Sequence, residues 1–265
     1  MWSVSRRLVL LLPPSESKEP GGTRSVKTGT FDLALDAPRR EVVTALGSLL
    51  ESGRASDIEE MLGVHGALLE RAIESSWAAV EQRARYLPAW RRYNGVVWGH
   101  LDPATMSAAH RRRILVPSGL YGITTAQDNI GDYRMKMNVA LAPLGSLATY
   151  WRRHLTTVLV QHLAGAVVVN LLPKEHGGAI DLDHLSKSCP MITVRFVVEG
   201  EAVVAGHEAK AVKGILARQL LLNGLGALET FSWQGWRTDQ NAEVSRVVAP
   251  RRKARDVVVA FDGLG

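Results

Sequence analysis

RRLVLLLPPSESK, residues 6–18, places an apolar run at 8–12 directly before two prolines and a polar loop. Five apolar residues fall far short of the roughly 18 that a membrane helix needs, and they are too few for the apolar core of a secretion signal. A short Leu/Val run bounded by turn residues reads instead as a strand buried on both faces. Two more runs of this kind follow, Ile114-Leu115-Val116-Pro117, read as a central strand, and AVVVNLL at 166–172. Between and after them lie stretches of helical period at 39–50, 56–62, 67–86, 147–163 and 207–222. Strand-like runs alternating with amphipathic helices predict a mixed α/β fold, a single compact domain over 1–265 with a mostly buried central sheet and flanking helices.

Composition narrows the partners. With 32 Lys and Arg against 26 Asp and Glu, the chain carries a formal charge of +6, which favours nucleic acid, an anionic surface or an acidic ligand. One cysteine, Cys189, excludes an internal disulfide and suits a reducing compartment. It has no neighbouring cation to activate it as a thiolate. The expected location is the cytoplasm, with no membrane association.

The basic face is clearest in HEAKAVKGILARQLLL, residues 207–222. At about 100° per residue, His207, Lys210, Lys213 and Arg218 share one side, and Ala209, Val212, Ile215, Leu216 and Leu220 the other. Upstream, Ser56 and Glu59 fit a capping box, and Gly63-Val64-His65-Gly66 separates two helices. A helix, glycine hairpin and second helix over about 56–86 is close to a helix-hairpin-helix, whose tight turn aims backbone N–H groups at a phosphate.

The strand ends hold the other candidate groups. After the first strand come Ser15, Lys18, Arg24 and Lys27 in a Pro/Gly/Ser loop. Ser15-Glu16-Ser17-Lys18 and Lys27-Thr28-Gly29 match acyl-enzyme patterns only superficially, because both sit in one loop instead of on a helix and a distant strand. Ser118-Gly119-Leu120-Tyr121-Gly122 follows the second run, with Asp128, Arg134 and Lys136 beyond it; neither a Walker loop nor a dinucleotide fingerprint is present. Glu175, His176, Asp181, Asp183 and His184 follow the third run at spacings that fit no metal motif, so no metal and no cofactor is expected. Thr193 to Val198 and Ala202 to Val204 read as a hairpin, residues 257–261 as an edge strand, and about 237–265 as a basic tail.

Taken in order, these segments resemble the YaaA peroxide-stress family, in the branch that begins Leu-Pro-Pro-Ser-Glu-x-Lys. The resemblance rests on residues 12–18, on Tyr93-x-Gly95-Val96-Val97-Trp98 with Leu101-Asp102, and on Ser118-Gly119-Leu120-Tyr121-Gly122 with Asp128-x-Ile130 and Tyr133-Arg134-x-Lys136-Met137. Tyr150-Trp151, Asn170-Leu171 with Glu175, and His207-x-Ala209-Lys210 with Lys213-Gly214-x-x-Ala217-Arg218 complete it. Ser17 stands where this branch often has Gly, and His176 where many members have Tyr. The resemblance implies a helix-hairpin-helix element, a positively charged groove able to take DNA, and protection against hydrogen peroxide through limiting free iron and iron-dependent DNA damage. By position it carries the groove to Lys18, Arg92, Arg134, Lys136, Lys210, Lys213 and Arg218, and the hairpin to Gly63, Val64, His65 and Gly66.

Two functions follow as expectations, with direct sequestration of iron or another metal by the Glu175 to His184 region a third that the lack of a Glu-x-x-His pair weighs against. In the first, the protein has no chemistry of its own and binds duplex or distorted DNA largely independently of sequence, with Trp98, Tyr121 and Trp151 available to stack on unpaired bases. In the second, an enzyme acts on an anionic small molecule or nucleic acid in a pocket drawing on Ser15, Lys18, Tyr121, Asp128, Arg134, Glu175, His207 and Lys210.

Overall fold

The first apolar run forms β1 (Arg7–Leu11), and every residue of it from Leu8 on is buried. The computed structural model describes residues 6–24, 27–197, 206–234, 236–239, 245–248 and 256–261. On one side β1 pairs in parallel with β2 (Ile114–Ser118), which turns back into the antiparallel β3 (Gly122–Thr125). On its other side runs β4 (Ala166–Asn170), also parallel, followed by β5 (Met191–Val197), parallel again. Both neighbours cover β1 edge to edge, with Leu10 opposite Val169 in one and Ile114 in the other. This is why the three runs are apolar throughout instead of alternating: helices cover both faces of a parallel sheet.

Beyond β5 the sheet becomes antiparallel. β6 (Ser232–Trp233), β7 (Trp236–Asp239), β8 (Ser245–Val248) and β9 (Asp256–Phe261) complete a nine-stranded sheet of order β6-β7-β8-β9-β5-β4-β1-β2-β3. β9 is not the edge strand expected for 257–261, because it lies between β8 and β5. The expected partner strand Ala202 to Val204 lies outside the described residues, and so do Arg251, Arg252, Lys253 and Arg255 of the tail.

Six longer helices flank the sheet: α1 (Asp32–Ser52), α2 (Ala55–Leu62), α3 (Ala67–Val80), α4 (Val96–Leu101), α5 (Leu147–His162) and α6 (His207–Asn223). α1 begins before Pro38, not after it. Asp32 sets its start, accepting the Gly29 N–H at 2.6 Å and the Arg39 guanidinium at 2.5 Å, and the Tyr150 hydroxyl donates to the Pro38 carbonyl at 2.9 Å. Ser56 does not cap α2: it lies inside the helix, whose cap is Arg54. α3 stops at Val80, and Tyr86 belongs to a short strand, Tyr86–Pro88. α6 packs closely on α4 across Gly214, where a Cβ would lie 2.8 Å from His100 Cβ and 3.0 Å from the Leu101 nitrogen. Among the described residues, no helix is long and apolar enough to cross a membrane.

Candidate functional site

The chain leaves β1 toward β2 on one side and leaves β4 toward β5 on the other, so the direction of winding reverses between β1 and β4. In an open α/β sheet such a reversal leaves a crevice outside the carboxyl ends of the two strands. A cleft lies there. Pro14, Ser15, Glu16 and Lys18 enter it from the loop after β1, and Glu175 and His176 from the loop after β4; Tyr133, Arg134, Met135 and Lys136 form a third wall, and Leu62 the end of α2. It holds about 60 Å³ of space, enough for several waters or a phosphate-sized group.

Close backbone approaches set this geometry. At Gly119, just past β2, a Cβ would sit 2.7 Å from the Met135 carbonyl and 2.9 Å from that of Lys136, so glycine there lets the third wall lie against the strand end. Gly95 leaves room for the Ser15 side chain in the same way. Trp98 anchors the β1 loop by donating from Nε1 to the Pro13 carbonyl at 3.1 Å. Arg71 holds the next turn, bonding the Lys18 carbonyl at 2.8 Å and the Asp132 carboxylate at 2.6 Å.

Lys18 is buried at 8% exposure. Its Nζ donates to the Ser15 carbonyl at 2.8 Å and reaches the Glu16 carbonyl at 3.5 Å, and it lies 4.3 Å from the Tyr133 ring centre. Burial, and then the neighbouring Arg134, bring its pKa down from 10.5 to about 7, against opposing pulls from Asp132 and Glu16. Tyr133 donates to or accepts from Tyr93 at 2.8 Å between buried hydroxyls, and burial raises its pKa to about 12. The Nδ1 of His176 is buried and has no hydrogen-bond partner. Burial, with Lys213 and Lys18 nearby, lowers the His176 pKa to about 4, which leaves the ring neutral at pH 7. Lys213 is itself lowered to about 8 by burial and by Lys210, and packs 5.4 Å from the Phe196 ring centre. α6 thus sets the charge of Lys213 close to His176 in the cleft wall.

The glycine turn between α2 and α3 adjoins this cleft. Gly63 has φ +61°, and a Cβ on it would lie 3.2 Å from Nζ of Lys136. Val64 is buried, His65 is exposed with Nδ1 hydrogen-bonded to Glu59, and Gly66, at φ 56° and ψ −139°, precedes α3 without a side-chain cap. Ser15, Lys18, Arg134, Lys136, Glu175 and the glycine turn are thus brought together; Lys213 is near enough to His176 to lower its pKa, and Lys210 and His207 are exposed on α6. Among the described residues, no carboxylate lies within 4.0 Å of Lys18, Arg134, Lys136, Lys210 or Lys213.

Four expected site residues lie elsewhere. Arg92 is fully buried, its guanidinium donating to the carbonyls of Glu19, Gly21 and Arg85, so it braces the β1 loop and does not face a groove. Arg218 turns onto the end of α4, donating to the Leu101 and Asp102 carbonyls at 3.0 and 3.1 Å. Tyr121 accepts the Gly131 N–H at 2.9 Å behind Tyr133, and Asp128 closes a turn through Thr30 and the Thr125 N–H. Stacking on bases by Trp98 or Trp151 is excluded by burial, at 2% and 0% exposure, and the Tyr121 ring packs edge-on to Tyr133 at 5.5 Å between centres. Asp181 caps a short helix by accepting the His184 N–H at 2.9 Å, and no group of three His, Cys, Asp or Glu side chains placed to hold a metal occurs among the described residues. Cys189 donates to the Leu185 carbonyl, and burial raises its pKa, which keeps it a thiol. From the sequence, Tyr133 appeared only inside a family motif and His176 only as a metal-ligand candidate, not as cleft residues; nothing in periodicity distinguishes a ring that borders a cleft from one in the core.

A family profile described as "Peroxide stress protein YaaA" matches residues 8–242. A UPF0246 protein of Streptomyces coelicolor is 33% identical over 224 residues, covering 82% of this chain and 84% of the relative. One from Corynebacterium efficiens is 30% identical, covering 80% and 84%, and one from Bordetella pertussis 26% identical, covering 93% and 99%. The match spans β1 through β7, including the cleft walls after β1, β3 and β4 and the hairpin beside them. The chain belongs to the YaaA family of peroxide stress proteins.

Proposed function

We propose that this YaaA-family protein binds DNA along the cleft at the carboxyl end of β1 and β4, largely without regard to sequence, and in the cytoplasm shields it during peroxide stress from iron-dependent damage. The observation that carries this reading is that, among the described residues, Arg134, Lys136, Lys210 and Lys213 have no carboxylate within 4.0 Å, and that a glycine turn where a Cβ on Gly63 would meet Lys136 leads into α3 without a side-chain cap. Phosphates supply the missing counter-charge, and orphan N–H groups at the start of α3 add to it. Contacts of this kind position a backbone and do not read bases.

Fluorescence anisotropy with duplex and bubble DNA over a salt series tests it. Binding is expected to fall linearly in log–log form, and Lys136→Ala/Lys210→Ala to flatten the slope by about two. Arg218→Ala should leave the slope alone, since its guanidinium is engaged with α4. Absence of binding at low salt, or an equal loss of slope in both variants, would reject the reading.

A second reading, an enzyme in the same cleft, is favoured by one observation. Lys18 is buried among cations, and beside it a neutral histidine presents an unpartnered nitrogen. Backbone binding requires neither.

A further inference from the structure

Lysines that bind phosphate direct an ammonium outward, where it stays charged. Lys18 is arranged otherwise. Its Nζ turns back onto two main-chain carbonyls, Ser15 at 2.8 Å and Glu16 at 3.5 Å, and lies over the Tyr133 ring while still lining the cleft. A neutral amine keeps two N–H bonds for those two carbonyls and gains a lone pair. The carbonyls, the Tyr133 ring face, Asp132 and Glu16 favour the third proton, but burial beside Arg134 and Arg92 outweighs them, and neither carboxylate is within ion-pair reach. Desolvation beside other cations is a recognised way of making a lysine nucleophilic, and its pKa of about 7 leaves much of it unprotonated at neutral pH. The residue is also held in place, by the Arg71 bond to its carbonyl and by backbone pairing with Tyr93.

We propose that Lys18 condenses with an aldehyde carried beside a phosphate group, the arrangement found in the ring-opened sugar of an abasic site in DNA. This rests on the DNA-binding reading for its macromolecular substrate. The amine of Lys18 attacks the aldehyde carbon, a C–N bond forms, and the carbonyl oxygen leaves as water with the two amine protons, giving an imine. Arg134 and Lys136, in the same cleft, face the neighbouring phosphates. Oxidative attack on deoxyribose produces such aldehydes, so the chemistry fits a peroxide-stress protein.

The test is reductive trapping. The full chain is incubated with sodium cyanoborohydride and either a duplex holding one abasic site or free deoxyribose 5-phosphate, and any adduct is located by peptide mass spectrometry. Anisotropy with a duplex carrying a tetrahydrofuran abasic analogue, which has no aldehyde, reports binding separately. The expected result is a covalent complex with the abasic duplex, mapped to Lys18 and lost in Lys18→Arg; mapping on the unsubstituted protein decides the matter if that variant does not fold. An adduct at Lys18 with the sugar phosphate alone would support the chemistry and assign the substrate to a free metabolite. Binding of the analogue with no adduct from either aldehyde, or adducts at Lys136 or Lys210 only, would overturn the inference and leave DNA binding standing. Failure of both binding and trapping would reject both.

Discussion

Arg92 and Lys18 are both basic residues turned into the interior, and they serve one loop in opposite ways. The guanidinium of Arg92 meets main-chain carbonyls of the β1 loop and of residues 85 and 130, and its planar fork suits several acceptors at once. Arg92→Met should cost about 3 kcal/mol or more, measured by urea denaturation, because it strands buried carbonyls. Arg92→Lys should recover little of this, since one ammonium cannot span the same acceptors. Recovery of full stability by lysine would show that charge, not geometry, matters there. Neither role is visible in the sequence. Arg92 lies in a basic run, Arg91-Arg92, that reads as surface, and charge pattern carries no information about which member of a pair turns inward. Arg218 fell on the predicted cationic side of α6 and yet bonds carbonyls, because the end of α4 happens to lie beneath it. Lys210 and Lys136, which meet no such neighbour, are exposed.

The hairpin between α2 and α3 divides its work between two glycines. Gly63, at φ 61° and ψ 36°, is in a left-handed conformation that asparagine tolerates, whereas Gly66, at φ 56° and ψ −139°, is in a region that excludes side chains. Gly63→Asn should therefore fold nearly as well as the parent, apart from a small shift of Lys136, and Gly66→Ala should lose about 1–3 kcal/mol. Thermal melts of the two variants check this; equal melting temperatures would contradict it. The turn itself was legible because glycines punctuate a helical period. The parallel strands β1, β2 and β4 were legible too, being apolar runs, whereas β5, parallel as well, carries Thr193 and Arg195 and read as one arm of a hairpin. β3 was not legible: Gly122, Thr124 and Thr125 are buried yet look like a loop. The start of α1 was also obscured, because Pro38 reads as a helix boundary, while Asp32 and Arg39 show where the helix begins.

Across the molecule, buried bases and buried phenols set opposite limits on stability. His176 is lowered from 6.5 to about 4, and burial also lowers His110, His154 and His162. The unfolded chain takes up those protons first, so stability should fall as pH drops from 6.5 toward 4. Lys18 and Lys213, lowered from 10.5 to about 7 and about 8, act the same way at higher pH, and stability should climb from pH 7 toward 10. Tyr93, Tyr121, Tyr133 and Tyr150 have raised pKa values, so the unfolded state ionises first above 10 and the climb should end there. Melting temperatures from pH 4 to 11 should peak on the alkaline side; a maximum near neutrality would show that the amines stay charged in the fold. The sheet carries a further consequence. β9 covers β5 over six paired positions, from Asp256 opposite Val197 to Phe261 opposite Ile192. A chain lacking its last two strands would present that row of amides and carbonyls bare, beside an apolar strand, and would join laterally to its own copies. The C-terminal strands thus serve as a molecular selvedge, closing an edge that would otherwise lie open on the parallel core.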